Sequence, residues 1–275
     1  IYSESLGYSA AIQHYTRVFF HYPVVPNNLA WWIINASDRT IVAHFLGTAA
    51  SGIYSIANKF PNVFINFYDI LNLSWTETVS LHYGDEDRDE FLPETMTSLF
   101  KMFSAACFGI VACMPFVFPI MINAKYAAAY DQILILMYAM LFRVLVGLYS
   151  CVYVAQKNAK KIAYTSMSAA IINIIVDLVL INKIQVFAAS FSTLIAFLSM
   201  FIIRYIDVNK TVHMKIRKPI IIGTVLIGLM LVGTYYCENK TVQFVAFCIT
   251  AIYAVLINVD MLKTGINLVK SRLEK

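Results

Sequence analysis

Apolar runs of about 20 residues recur down this chain with only short polar breaks between them, and a bilayer crossing needs about that length. Eight such runs fall near 24–46, 52–82, 93–121, 128–156, 159–182, 185–206, 217–236 and 241–263. Across the 275 residues 60% are apolar and 13% charged, with mean hydropathy +0.68. A soluble domain carries about 25% charged residues and needs a polar exterior. The expectation is an all-α polytopic membrane protein of about eight transmembrane helices. Disorder, collagen and secreted disulfide scaffolds are excluded.

The five cysteines (Cys107, Cys113, Cys151, Cys237, Cys248) mostly fall in apolar runs without a C-x-x-C pair. They read as small packing residues rather than a disulfide frame. The sequence opens with Ile1 and shows no basic-then-apolar leader, so a fragment lacking its true N-terminus is expected. Residues 1–23 read as an interfacial lead-in. Very short turns at Gly47–Ser51 and around Asn182-Lys183 predict antiparallel hairpins. Pro61, Pro115 and Pro119 predict kinks. Trp31 and Trp32 fit an aromatic belt.

Orientation follows from the basic residues. One set of ends and loops holds Arg17, Arg88, Lys101, Lys157, Lys160, Lys161, Arg204 and eight more from Lys210 to Lys275; the opposite set holds only Lys125, Lys183 and Lys240. The positive-inside rule then places both termini in the cytoplasm. Lys210 to Lys218 is the most basic connection. It sets topology, can meet anionic headgroups, and divides six helices (24–206) from two appended ones (207–275). The acidic run Gly84–Glu90 reads as a solvated loop.

Three basic residues remain inside predicted spans: Arg39, Lys59 and Arg143. Such a charge near the bilayer centre costs about 2.5–3.5 kcal/mol even on the lenient scale, so it faces protein or a wet cavity. Arg39 and Lys59 lie seven residues either side of the first hairpin turn, roughly 10 Å below the surface at 1.5 Å per residue. Asp38 and Asp69 are the acids best placed to partner them. Asp38 points about 100° away from Arg39 and is expected to meet Lys59 or a helix outside this chain. Arg143 lies mid-span in ILILMYAMLFRVLVGLY with no acid within a turn. Two readings stand: internal pairs that hold helices together, or a hydrated cationic cavity for an anionic group such as phosphate. Guanidinium suits the second, because its planar fork meets phosphate oxygens bidentately. Asp69, Glu77 and Asp177 are candidates for cation coupling.

Catalytic chemistry finds little support. The five histidines are dispersed, no His, Cys or Glu set has metal-ligand spacing, and G-x-S-x-G, Walker A and G-x-G-x-x-G are absent. No metal, cofactor or nucleic acid is expected, and an enzyme is not.

The stretch Pro26-Asn27-Asn28-Leu29-Ala30-Trp31-Trp32, then Ser37-Asp38-Arg39, then FLGTAASGIYSIANKFP resembles the bacterial polysaccharide-biosynthesis flippases. Their superfamily also holds the lipid II flippase and the multidrug and toxin extruders. Tyr126 to Tyr130, the KNAKK loop, and AAIINIIVDLVLI followed by AASFSTLIAF are similar to the same family's later helices. The resemblance covers roughly 18–206. It implies the second lobe of a two-lobed transporter plus two C-terminal helices, in the bacterial inner membrane. It also implies an undecaprenyl-diphosphate-linked oligosaccharide, such as an O-antigen repeat unit, as substrate, with glycan polymerase and glycosyltransferases as partners. Arg39 and Lys59 fall on recurrent family positions. Where relatives carry a glycine-rich turn, this chain has Lys183-Ile184-Gln185-Val186-Phe187. The alternatives are a cation-coupled multidrug exporter and a non-transporting scaffold for glycan enzymes.

Overall fold

The computed structural model describes residues 24–264 and 267. The lead-in expected over 1–23 and the basic residues Arg17, Lys270, Arg272 and Lys275 lie outside the described residues. Those described form helices and connecting turns, without a strand.

Helix α1 spans Val24–Leu46, and the chain then reverses at one residue, Gly47. Its φ of 87° and ψ of 170° occupy a region open essentially to glycine alone. Helix α2 (Thr48–Ala57) runs back along α1, with Tyr54 opposite Asp38 and Ser51 opposite Arg39. The single helix expected over 52–82 is therefore two, because α3 (Lys59–His82) begins after a turn at Asn58. Proline at 61 has no N–H for the Ala57 carbonyl, and its ring crowds that carbonyl. The break falls there.

Helix α4 runs from Arg88 to Met121 with Pro115 and Pro119 inside one continuous element. Pro119 leaves the Pro115 carbonyl without its helical donor. Lys240 Nζ donates to that carbonyl instead, at 3.0 Å. A 3-10 turn over Ala124–Ala129 leads into α5 (Tyr130–Ala155), followed by α6 (Ala159–Ile184), α7 (Phe187–Val208), α8 (Lys218–Tyr235) and α9 (Lys240–Ile257). Asn158 and Asn239 cap α6 and α9 by accepting from backbone N–H groups inside the first turn.

The most deeply buried of these helices, α5, packs on α3, α4 and α7; α6 packs on α7 and α1. The pair α8–α9 lies outside this group, against α4. Tyr130 and Tyr235 stack at 4.4 Å and each hydroxyl donates to the other's carbonyl. Tyr138 donates to Gly228. The basic connection before α8 is anchored, with Val212 and Met214 fully buried and Tyr149 donating to the Met214 carbonyl.

Among the described residues six helices are long and apolar enough to cross a membrane: α4, α5 with its 3-10 lead, α6, α7, α8 and α9. Helices α1 and α3 have 23 and 24 residues, enough to span, but fall short in hydropathy. Their polar residues are what line the cleft.

Candidate functional site

On α3, Asn62, Asn66, Asp69, Asn72 and Thr76 recur at steps of three or four residues, forming one polar stripe. On α1, Asn28, Trp31, Asn35 and Asp38 do the same. The two stripes border two polar pockets set end to end along the bundle. One, of about 350 Å³, lies toward the end bearing Lys125 and Lys183 and takes Asn35, Arg39, Asn58, Asn62 and Asn66. The other, of about 400 Å³, lies toward the basic end and takes Asn28, Trp31, Asn72, Ser150 and Arg204. Arg143 is the residue common to both.

Arg143 sits 13 residues into α5, roughly 20 Å from its first turn. Its guanidinium lies 4.9 Å above the Trp31 ring, in cation–π range. One nitrogen reaches Asp69 Oδ2 at 3.3 Å. The sequence supplied no acid within a turn of Arg143; the acid comes from α3. Asp69 was expected to serve Arg39 or Lys59, and it pairs with Arg143 because α3 lies alongside α5. The arginine side chain is 18% exposed and the aspartate 50%. Trp31, expected in an interfacial belt, is instead the platform beneath this arginine, whereas Trp32 faces outward.

Arg39 is exposed and lines the first pocket. Lys59 is exposed at the start of α3 and lines neither pocket. Its expected pairing with Asp38 does not occur. The buried Asp38 carboxylate accepts instead from Tyr54 at 2.8 Å and Thr193 at 2.6 Å, both through Oδ2. The short helix α2 carries Tyr54 back against α1 and carries Lys59 past that point.

Asp38, in the wall of the first pocket, and Asp177 are the acids with unpartnered buried oxygens among the described residues. Asp38 Oδ1 and both oxygens of Asp177 lack hydrogen-bond partners, although Asp177 is fully buried. One helical turn before Asp177, Asn173 accepts from Ser37 at 3.0 Å and donates to Ser192 at 3.2 Å. This cluster joins α1, α6 and α7. Buried carboxylate oxygens are costly to leave unpaired, and three of them are left so here. Among the described residues there is no group of three or more His, Cys, Asp or Glu side chains that could hold a metal ion.

Sequence reading missed Arg204, which counted only as a topology-setting end charge. It is 1% exposed, although only four residues from the end of α7. Its five donors go to Thr165, Ser166 and Ser150 hydroxyls and to the Val146 and Ile162 carbonyls. The asparagines of α3 were also missed, although their spacing was visible. The apolar average of that helix hides its polar stripe.

A polytopic helical bundle with a polar, arginine-centred cleft describes a membrane transporter. The family model that matches is MatE, over residues 23–179. The chain belongs to the MatE family, whose members are membrane exporters and flippases rather than enzymes. No curated protein and no solved structure matches it.

Proposed function

We propose that this chain is a lobe of a flippase that turns an undecaprenyl-diphosphate-linked oligosaccharide from the inner to the outer leaflet of a bacterial inner membrane. The observation that carries the reading is Arg143, a mid-bundle guanidinium shared by two polar pockets. A diphosphate crossing hydrocarbon needs a compensating charge at mid-depth, and guanidinium provides it bidentately. The asparagine stripes offer amide donors and acceptors to sugar hydroxyls. The prenyl tail stays in lipid.

In this mechanism eight helices cross the membrane, α1 and α3 presenting polar faces to a wet interior and apolar ones to their neighbours. A second lobe closes the cleft, and rocking of the two exposes the cavity to opposite faces. Arg39 receives the phosphate on the far side of Arg143. Asp38 and Asp177 couple the motion to a monovalent cation gradient, proton or sodium. Glycan polymerase and glycosyltransferases act on either side of this step.

The buried acids favour a second reading, a cation-coupled exporter of small amphipathic compounds. Two assays separate them. A fluorescent undecaprenyl-diphosphate oligosaccharide should change leaflet in proteoliposomes of the protein, and cells expressing it should gain no drug resistance. Resistance without lipid flipping would select the exporter. A scaffold would show neither activity and would depend only on its cytoplasmic loops.

A further inference from the structure

Two positive charges line the pocket at the basic end, and they are held in opposite ways. Arg143 is tied to one half-exposed carboxylate through one contact at 3.3 Å. Arg204 is fully buried, and among the described residues no carboxylate lies within ion-pair distance of it. Every one of its donors is taken by a neutral oxygen. Those bonds satisfy its geometry and leave its charge uncompensated. An uncompensated buried charge is strongly disfavoured unless something of opposite sign approaches it. The space open to such a partner is the pocket that Arg204 lines with Asn28, Asn72 and Thr76.

We infer that this pocket is a loading station for the substrate's diphosphate at the basic end of the bundle, with Arg204 as a fixed field charge and Arg143 as the direct ligand. The inference rests on the flippase reading and adds to it a residue and a location. Arg204 holds the Ser150 hydroxyl in the pocket wall and attracts the anion from behind that wall. Asp69 is the occupant of Arg143 while the station is empty, and phosphate displaces it. The two roles carry different chemical signatures. Charge should matter at position 204, whereas the forked donor set should matter at 143.

Trp31 reports on the station directly, because Arg143 rests on its ring. With Trp32 and Trp75 replaced by phenylalanine, Trp31 is the sole tryptophan of the sequence. Its fluorescence would be titrated with farnesyl diphosphate, with farnesol as the uncharged control. The diphosphate should bind and farnesol should not. Arg204→Gln should raise Kd about tenfold or more, the scale of one charge-assisted interaction. Arg204→Lys should stay within about threefold of the parent, since it keeps the charge. Asp69→Asn should tighten binding by up to about fivefold by removing a competitor. Lys125→Gln, at the far end, should change nothing.

A Kd unchanged in a folded Arg204→Gln protein would overturn the station. Should that variant fail to fold, Ser150→Asp places a carboxylate beside the intact guanidinium. It should give the same loss, and full retention of binding would overturn the proposal. Asp69→Asn weakening the affinity would also contradict it, since Asp69 would then be a ligand rather than a competitor. Lipid flipping that proceeds without dependence on Arg204 removes the station and leaves the flippase standing. Neither flipping nor a diphosphate response in the parent protein removes both.

Discussion

At φ 53° and ψ −131°, Gln185 holds the α6–α7 turn in backbone space that suits glycine. This is the turn in which the sequence reads Lys183-Ile184-Gln185-Val186-Phe187, without a glycine. The side chain is exposed and contributes no contact that would offset the strain. Gln185→Gly should therefore stabilise the protein, by about 1 kcal/mol net of glycine's greater unfolded-chain entropy. Thermal unfolding in detergent would read this as a raised midpoint. Gly147 makes the opposite demand. A Cβ there would collide with the Tyr68 hydroxyl, which donates to Asn72 in the same pocket. Gly147→Ala should displace Tyr68, lower the midpoint and slow transport together. Asp177 carries no partner to lose, so Asp177→Asn should not destabilise the fold, yet it should abolish the dependence of transport on a cation gradient. Transport that keeps its gradient dependence in this variant would remove the coupling role. Arg143, Arg39 and Asp38 were visible in the sequence because charge in an apolar run is rare. The partners of Arg143 and Asp38 were not, because Asp69 and Tyr54 reach them across helices whose neighbours hydropathy does not specify. Arg204 stayed hidden for another reason: proximity to a helix end does not distinguish a snorkelling arginine from one folded inward.

Among the elements, the proline positions were legible and their consequences differed. Pro61 divides α2 from α3, where one helix was expected. Pro115 and Pro119 leave α4 continuous, and the carbonyl that Pro119 frees is taken up by a lysine from another helix. Lys240→Met should loosen α9 from α4 at that end, at about 1–2 kcal/mol for the unsatisfied carbonyl. Amide exchange in the first turn of α9 would accelerate while α5 stays protected; unchanged exchange would show the contact to be idle. The hairpin of α1 with α2 was legible in the short turn at Gly47, since only glycine reverses the chain there. The polar stripe of α3 has helical spacing, but an average over the helix conceals on which face the asparagines lie.

In the whole molecule, the helices sort by what they face. Helix α5 is central, α8 and α9 are peripheral and expose most of their surface, and α1 and α3 present polar residues to an open cleft. The composition announced a membrane bundle, but it could not distribute polarity between the lipid side and the cleft side. One guanidinium, Arg143, stands at the junction of the two pockets. The most direct test is the flipping rate of a fluorescent undecaprenyl-diphosphate oligosaccharide in proteoliposomes, comparing the protein with Arg143→Ala at equal reconstitution. A loss of about 3 kcal/mol of charge-assisted binding, or roughly a hundredfold in rate, is predicted for the variant. A rate unchanged in well-folded protein would contradict the cationic pathway and leave Arg143 as a helix tie.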